Sequence, residues 1–140
     1  RGGFFSLVFN EILEAAHEKR QDITILSGRS WVDAQTSLPQ YRDGRCDGYI
    51  VFFQFAESDL IPAFLDAAVP FVLVNDCRDD ARLSCVDVDN RASGFAATKY
   101  LLELGHRRIA HLPGNLPESP VVGRQTGYTD ALRDAGITPD

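Results

Sequence analysis

The stretch DGYIVFFQFAESDLIPAFLDAAVPFVLVN, residues 47–75, decides the fold. Asp47-Gly48 is turn chemistry, and it leads into Tyr49-Ile50-Val51-Phe52, a short β-branched and aromatic run that reads as a strand. Ser58 or Glu57 opens a helix whose apolar positions, Leu60, Ile61, Phe64, Leu65 and Ala68, recur at helical spacing until Pro70 stops it. Phe71-Val72-Leu73-Val74 follows as a continuous apolar run, expected to be a strand buried on both faces. Strand, helix and strand in one short stretch make a βαβ unit, which requires parallel strands and a right-handed crossover.

The alternation continues on both sides. Upstream, Phe5, Val8, Phe9, Ile12, Leu13 and Ala16 define one face of an amphipathic helix, and Ile23-Thr24-Ile25-Leu26 reads as another buried strand. Residues 31–43 are weakly helical, with Pro39 predicting a kink or an early end. Downstream, Asn75 to Leu83 is a polar loop and Ser84 to Val88 a short extended piece. Asp89 or Asn90 caps a helix that turns Ala97, Tyr100, Leu101 and Leu104 inward and ends at Gly105. Arg108 to Leu112 reads as a strand, Pro113-Gly114-Asn115 as its exit loop. The last helix carries Gly127, Tyr128, Ala131, Leu132 and Ala135 on one face and stops near Gly136.

This is an α/β chain with a parallel sheet. A boundary is expected near Val88, dividing a first lobe, residues 1–88, from the beginning of a second, residues 89–140. The second part holds too few strands to close a lobe alone, and no initiator methionine precedes Arg1, so the chain is expected to be cut from something longer.

Composition narrows the function. The chain has 140 residues, 44% hydrophobic and 24% charged, with a net charge of -6, the profile of an ordinary globular protein. No apolar run reaches the length of about 18 residues that a membrane span needs. Nor does the N-terminus look like a signal peptide. Nucleic-acid binding requires clustered Lys and Arg, and His106-Arg107-Arg108 is too short for it, so any DNA contact is expected from another segment. Cys46, Cys77 and Cys85 are an odd set without metal or disulfide spacing, and they read as reduced thiols of a cytoplasmic protein. His17, His106 and His111 lack metal-ligand spacing. No nucleophile elbow, Walker loop or dinucleotide fingerprint occurs, and neither catalysis, a cofactor nor a metal is expected.

In open parallel sheets, ligands bind beyond the carboxyl ends of the strands. The residues there are Ser27-Gly28-Arg29, Phe53-Gln54-Phe55, Asn75-Asp76 and the segment 113–124. Arg124 is the strongest candidate. It sits near the start of the last helix, where a cation opposes the helix dipole, and the pattern turns it toward the core. Its planar fork suits vicinal hydroxyls, a carboxylate or a phosphate, while an ion pair with Asp130 or Glu118 is the structural alternative. Phe5 fits the apolar stripe, leaving the Phe4 ring for a sugar face or a planar base, or simply for capping the core. Asn75 offers a donor and an acceptor, or only a turn.

Taken together, Asp89-Asn90, Gly94, the run Tyr100 to Ala110 with its Leu-Gly-His-Arg-Arg-Ile-Ala, Pro113-Gly114 and Arg124 to Tyr128 resemble the lactose-repressor family of bacterial regulators. Gly3-Phe4-Phe5-Ser6 resembles the family's Asn-Pro-Phe-Phe, with glycine replacing proline. Asp47 to Ile50 and Pro70 to Asn75 match its second and third strand motifs.

The resemblance implies a periplasmic-binding-protein-like fold of two lobes, with a small-molecule effector, most commonly a sugar, bound between them. By position it makes Arg124 the arginine that grips the effector and Asn75 a polar contact. Phe4 falls in the aromatic segment and Ser119 in the loop before the arginine. Gln54 and Arg29 occupy cleft positions. It also implies a homodimer that binds DNA through a helix-turn-helix headpiece outside this chain. An extracytoplasmic sugar-binding protein of a transporter is the alternative on the same fold; a doubly wound enzyme is a third.

Overall fold

The computed structural model describes residues 3–26, 34–52, 59–77, 80–113 and 119–139. Its elements in order are α1 (Phe4–Glu18), α2 (Ala34–Tyr41), β1 (Tyr49–Phe52), α3 (Leu60–Asp66), β2 (Phe71–Val74), β3 (Cys85–Val86), α4 (Asn90–Glu103) and α5 (Ser119–Asp134). The three strands form one parallel sheet in the order β1-β2-β3, with Tyr49 opposite Phe71 and Phe52 opposite Val74. β1 and β2 coincide with the two apolar runs that predict them.

Alternation along the strands decides the packing. Val51 and Leu73 point to one face, where α2 and α3 bury them with Leu60, Ile61 and Phe64. Phe64, 1% exposed, is the centre of an aromatic cluster. Its ring lies 5.0 Å from Tyr41, 5.8 Å from Tyr49 and 5.4 Å from Phe71, mostly edge to face. The Tyr49 hydroxyl donates to the Tyr41 carbonyl at 2.9 Å, so the cluster leaves that buried oxygen satisfied. Burial pushes both phenols above their ordinary value near 10.

The opposite face differs from expectation. The β2 run is not buried on both sides: Val72 and Val74 are half-buried and Ile50 of β1 is 48% exposed. Helices α2 and α3 cover one face alone, and α1 meets the other at its first turn, where Phe5 stands edge-on to Phe52 at 6.3 Å. α1 itself follows the predicted stripe in part. Phe5, Val8, Phe9, Ile12 and Ala16 are half-buried, while Leu13 is exposed.

Two predicted strands do not form. Ile23–Leu26 and Arg108–Leu112 take no regular secondary structure and have no ladder partner among the described residues, and apolar character alone does not make a strand. Leu26 still packs against the α2–α3 core, whereas Leu112 is exposed. α2 runs on through Pro39 to Tyr41. α3 stops at Asp66, before Pro70, because Ala68 turns left-handed at φ 51° and the Val69 N–H closes on the Phe64 carbonyl.

The cysteines also depart from expectation. Cys77 and Cys85 are disulfide-bonded, and Cys46 is free. The bridge joins the loop after β2 to β3, a pairing that only the return of the chain alongside β2 creates. Closing so short a loop contributes on the order of 2–3 kcal/mol by constraining the unfolded chain.

Two outcomes check this account. Phe64→Ala is expected to lower unfolding stability by about 3–5 kcal/mol in denaturant titration, as a cavity at the cluster's centre should. Thiol titration of the unreduced native protein should find one reactive group in this chain, and three after reduction and unfolding.

Candidate functional site

The carboxyl edge of the sheet is where this fold exposes groups of mixed chemistry. At the end of β1, Phe52 forms with Phe5, Ser6 and Phe9 of α1 an open hollow of about 330 Å³, apolar with one hydroxyl at its margin. Its size suits a small ligand. Phe4 stands beside it, 51% exposed and edge-on to Phe5 at 5.4 Å, so the adjacent phenylalanines divide as expected: one packs inward, the other keeps a free face. A second hollow of the same size lies between α4 and α5, lined by Phe95, Lys99, Leu102 and Ala131. No strand exit borders it.

At the end of β2, Asn75 takes a left-handed φ of 62°, a conformation asparagine tolerates better than most residues. Its backbone N–H donates to the Val86 carbonyl at 2.9 Å, extending the β2–β3 ladder by one residue. Among the described residues its side chain has no hydrogen-bond partner, and it is half-buried. Further along this loop, Arg82 clasps Asp80 at 2.7 Å, and hydrogen bonds from that side chain and backbone hold the Asp80 carboxyl at about 2.

Arg124 belongs to the second part of the chain. α4 is capped by Asp89, whose carboxylate accepts the Ala92 N–H at 2.8 Å, and beyond its last residue Glu103 the chain turns at Gly105 with φ 90°. α5 crosses its first turns with backbone against backbone. A Cβ at Gly94 would strike the Arg124 carbonyl, and one at Gly127 the Arg91 carbonyl. Asp130 pairs with Arg91 at 2.6 Å across the same contact, so it does not pair with Arg124.

The Arg124 side chain is exposed, which corrects the expectation that it faces the core. Helical side chains lean toward their own N-terminus, and this lean carries the guanidinium past the glycine contact rather than into it. One of its nitrogens, Nη1, donates to the Asn90 Oδ1 at 2.6 Å. Asn90 is missing from the sequence-derived site because its position beside Asp89 suggests capping. Nothing in the 34-residue separation signals a contact.

The other helix faces need the same revision. Half-buried Gly94, Phe95 and Leu102 and buried Thr98 form the face of α4 turned inward, leaving Ala97, Tyr100, Leu101 and Leu104 exposed. In α5 the expected face is largely right: Gly127, Ala131 and Leu132 are buried, Tyr128 half-buried, and Ala135 exposed. Tyr128 donates to the Ile109 carbonyl at 2.7 Å and stacks on His111 at 5.3 Å.

Ser119 is the first residue of α5, its side chain outside those described; Gln54 and Arg29 lie outside the described residues altogether. No hydrogen bond or ring contact joins Phe4, Asn75 and Arg124 to one another. No cluster of His, Cys, Asp or Glu among the described residues is arranged for a metal ion, and no described helix is long and apolar enough to cross a membrane.

Comparison with known proteins agrees with this architecture. A family model for periplasmic binding proteins and the sugar-binding domain of the LacI family matches residues 2–140. The HTH-type transcriptional regulator CelR of Thermobifida fusca is 34% identical over 131 residues, 90% of this chain and 38% of its own length. The HTH-type transcriptional regulator AscG of Escherichia coli K12 is 28% identical over 138 residues, 97% of this chain and 41% of its own. The chain thus spans about two fifths of the length of these relatives. Among solved structures, a complex of the regulator CelR with cellobiose superposes with a TM-score of 0.78 at 29% identity, over 91% of this chain and 39% of that one. The Escherichia coli repressor ascG superposes at 0.77 with 27% identity, over 97% of this chain and 51% of that one.

The helix crossing is the most demanding contact on this side of the molecule. Gly127→Ala should force α4 and α5 apart and lower stability by about 1–3 kcal/mol, read from the denaturation midpoint, while the exposed Ala97→Ser should leave the midpoint nearly unchanged.

Proposed function

We propose that this chain, which belongs to the family of periplasmic binding proteins and sugar-binding domains of the LacI family, senses a small-molecule effector for a bacterial transcription regulator. Its role is binding rather than catalysis. The observation that carries the reading is the carboxyl edge of the parallel sheet, where β1 ends at Phe52 beside an open hollow and β2 ends at Asn75, since this edge is where open α/β sheets bind ligands. The relatives that match are named as regulators, and one solved relative is a complex with cellobiose.

Residues 1–88 form one lobe and residues 89–140 begin the second, with the effector between them. Phe4 offers a ring to the apolar face of a sugar, and Asn75 a donor and an acceptor to its hydroxyls. Arg124 grips two oxygens with the nitrogens that Asn90 leaves free. Ser119, Gln54 and Arg29 are further candidates by the family resemblance alone. In a cytoplasmic homodimer, the effector's differential affinity for open and closed lobes controls operator binding by a headpiece outside this chain. The Cys77–Cys85 bridge favours the rival reading, a sugar-binding protein of a transporter in an oxidising compartment. The relatives named as HTH-type transcriptional regulators favour the first.

A thermal-shift panel of mono- and disaccharides, nucleobases and inorganic phosphate on the protein containing this chain tests the reading. A ligand at about a hundred times its Kd should add roughly 2.7 kcal/mol of apparent stability. Arg124→Ala should abolish that shift, while the unliganded melting temperature falls modestly because the buried Asn90 oxygen loses its donor. Undiminished binding to the variant by calorimetry would remove Arg124 from the site.

A further inference from the structure

Asn90 is the first residue of α4 yet does none of a cap's work, since Asp89 already holds the Ala92 N–H. Its side chain is nevertheless fully engaged. Oδ1 accepts from Arg124 Nη1 at 2.6 Å, while Nδ2 donates to Asp87 Oδ1 and to the Val88 carbonyl, each at 3.1 Å. The residue is 8% exposed, a costly place for an amide unless its bonds are made. Its orientation is fixed by chemistry. A guanidinium only donates, whereas a carbonyl and an ionised carboxylate only accept, so the amide oxygen must face Arg124.

This bridge spans two structural units. Asp87 and Val88 belong to the segment between β3 and α4, where the chain passes from the sheet to the α4–α5 pair. Asp87 is itself held there, accepting the Val88 N–H at 2.7 Å. Arg124 lies in α5. Asparagine meets a donor on one side and two acceptors on the other. An aspartate at position 90 would keep the arginine but set a carboxylate against Asp87, and alanine would release both sides.

We propose that Asn90 is a positioning residue: it holds the Arg124 guanidinium in one orientation for two-point contact with an effector's hydroxyls or anionic oxygens, and it ties that contact to the Asp87–Val88 crossover. The inference rests on the effector-gripping role of Arg124 given above. It adds that the grip is prepared before the effector arrives, because one nitrogen is committed to Asn90 and the remaining N–H groups keep a fixed direction. It also gives the grip a mechanical consequence. A shift of Arg124 on binding is passed through one amide to the segment that joins the two parts of the chain, the kind of contiguous contact through which coupling between sites can run.

The test uses the protein containing this chain, with Asn90→Ala and Asn90→Asp variants. The first readout is the nitrogen-15 NMR spectrum of the arginine side chains, with Arg124 assigned through Arg124→Lys. Wild type should show slowly exchanging, resolved Nη protons for Arg124. Asn90→Ala should average them and Asn90→Asp retain them. A wild-type spectrum with freely averaging Arg124 protons overturns the proposal whether or not the variants fold, and so does an Asn90→Ala spectrum identical to wild type.

The second readout is calorimetric titration with cellobiose, glucose and inorganic phosphate. For any of these that wild type binds, Asn90→Ala should weaken binding by about tenfold or more, the loss expected for one hydrogen bond to a charged group. Asn90→Asp, with Arg124 still held, should bind within about threefold of wild type, so a general loss of structure cannot imitate the pattern. Equal loss in both variants, or in neither, overturns the positioning role. If Arg124→Ala binds like wild type while the spectra behave as expected, Arg124 is held by Asn90 but is not the effector's contact, and the functional reading above fails by itself.

Discussion

Tyr49–Phe52 runs parallel to Phe71–Val74, so the chain must travel back the length of the sheet before the second strand can form. That return cannot be a tight turn. It is α3, and α3 must lie on a face of the sheet and bury its apolar stripe there. Phe64 stands at the point where this obligation is met, between rings from α2, β1 and β2. The same constraint places both strand ends on one edge, with Phe52 at the hollow beside α1 and Asn75 at the left-handed exit of β2. A binding edge is thus a by-product of parallel pairing, and the core beneath it sets how firmly its residues are held.

The second part of the chain is organised by a different force. α4 and α5 meet through Gly94, Gly123 and Gly127, so their axes approach more closely than side chains would allow. Little apolar area is buried by the glycines themselves; what they supply is closeness, with Ala131 and Leu132 packed behind them. Closeness then makes polar contacts across the pair possible, Arg91 with Asp130 and Arg124 with Asn90. The first is a largely exposed ion pair and contributes little to stability. The second ends on a buried amide whose nitrogen is itself bonded to Asp87 and the Val88 carbonyl.

Much of this was legible in the residues. β1 and β2 follow from compact apolar runs bounded by Asp47-Gly48 and Pro70, and the N-cap of α4 from a short carboxylate before a helical segment. The unformed strands at Ile23–Leu26 and Arg108–Leu112 carry the same local signal, and there it misleads because a strand exists only with a neighbour to pair with. The outward face of α4 misleads for a related reason. Hydrophobic spacing marks Tyr100, Leu101 and Leu104 as a buried stripe, yet α5 is met by another face, that of Gly94, Phe95, Thr98 and Leu102.

By itself the sequence determined the helices, the strands β1 and β2, the parallel sense of the sheet and the choice of Arg124, Asn75 and Phe4 as groups worth watching. Those features depend on local spacing, charge and chain reach, all of which are written along the chain. Tertiary structure alone decided that Arg124 is exposed yet bonded to Asn90, that Cys77 and Cys85 pair, and that Phe5, Phe9 and Phe52 share a hollow. Each of these joins groups brought together only by the return of the chain on itself, and the free energy of such a meeting belongs to the pair, not to either residue.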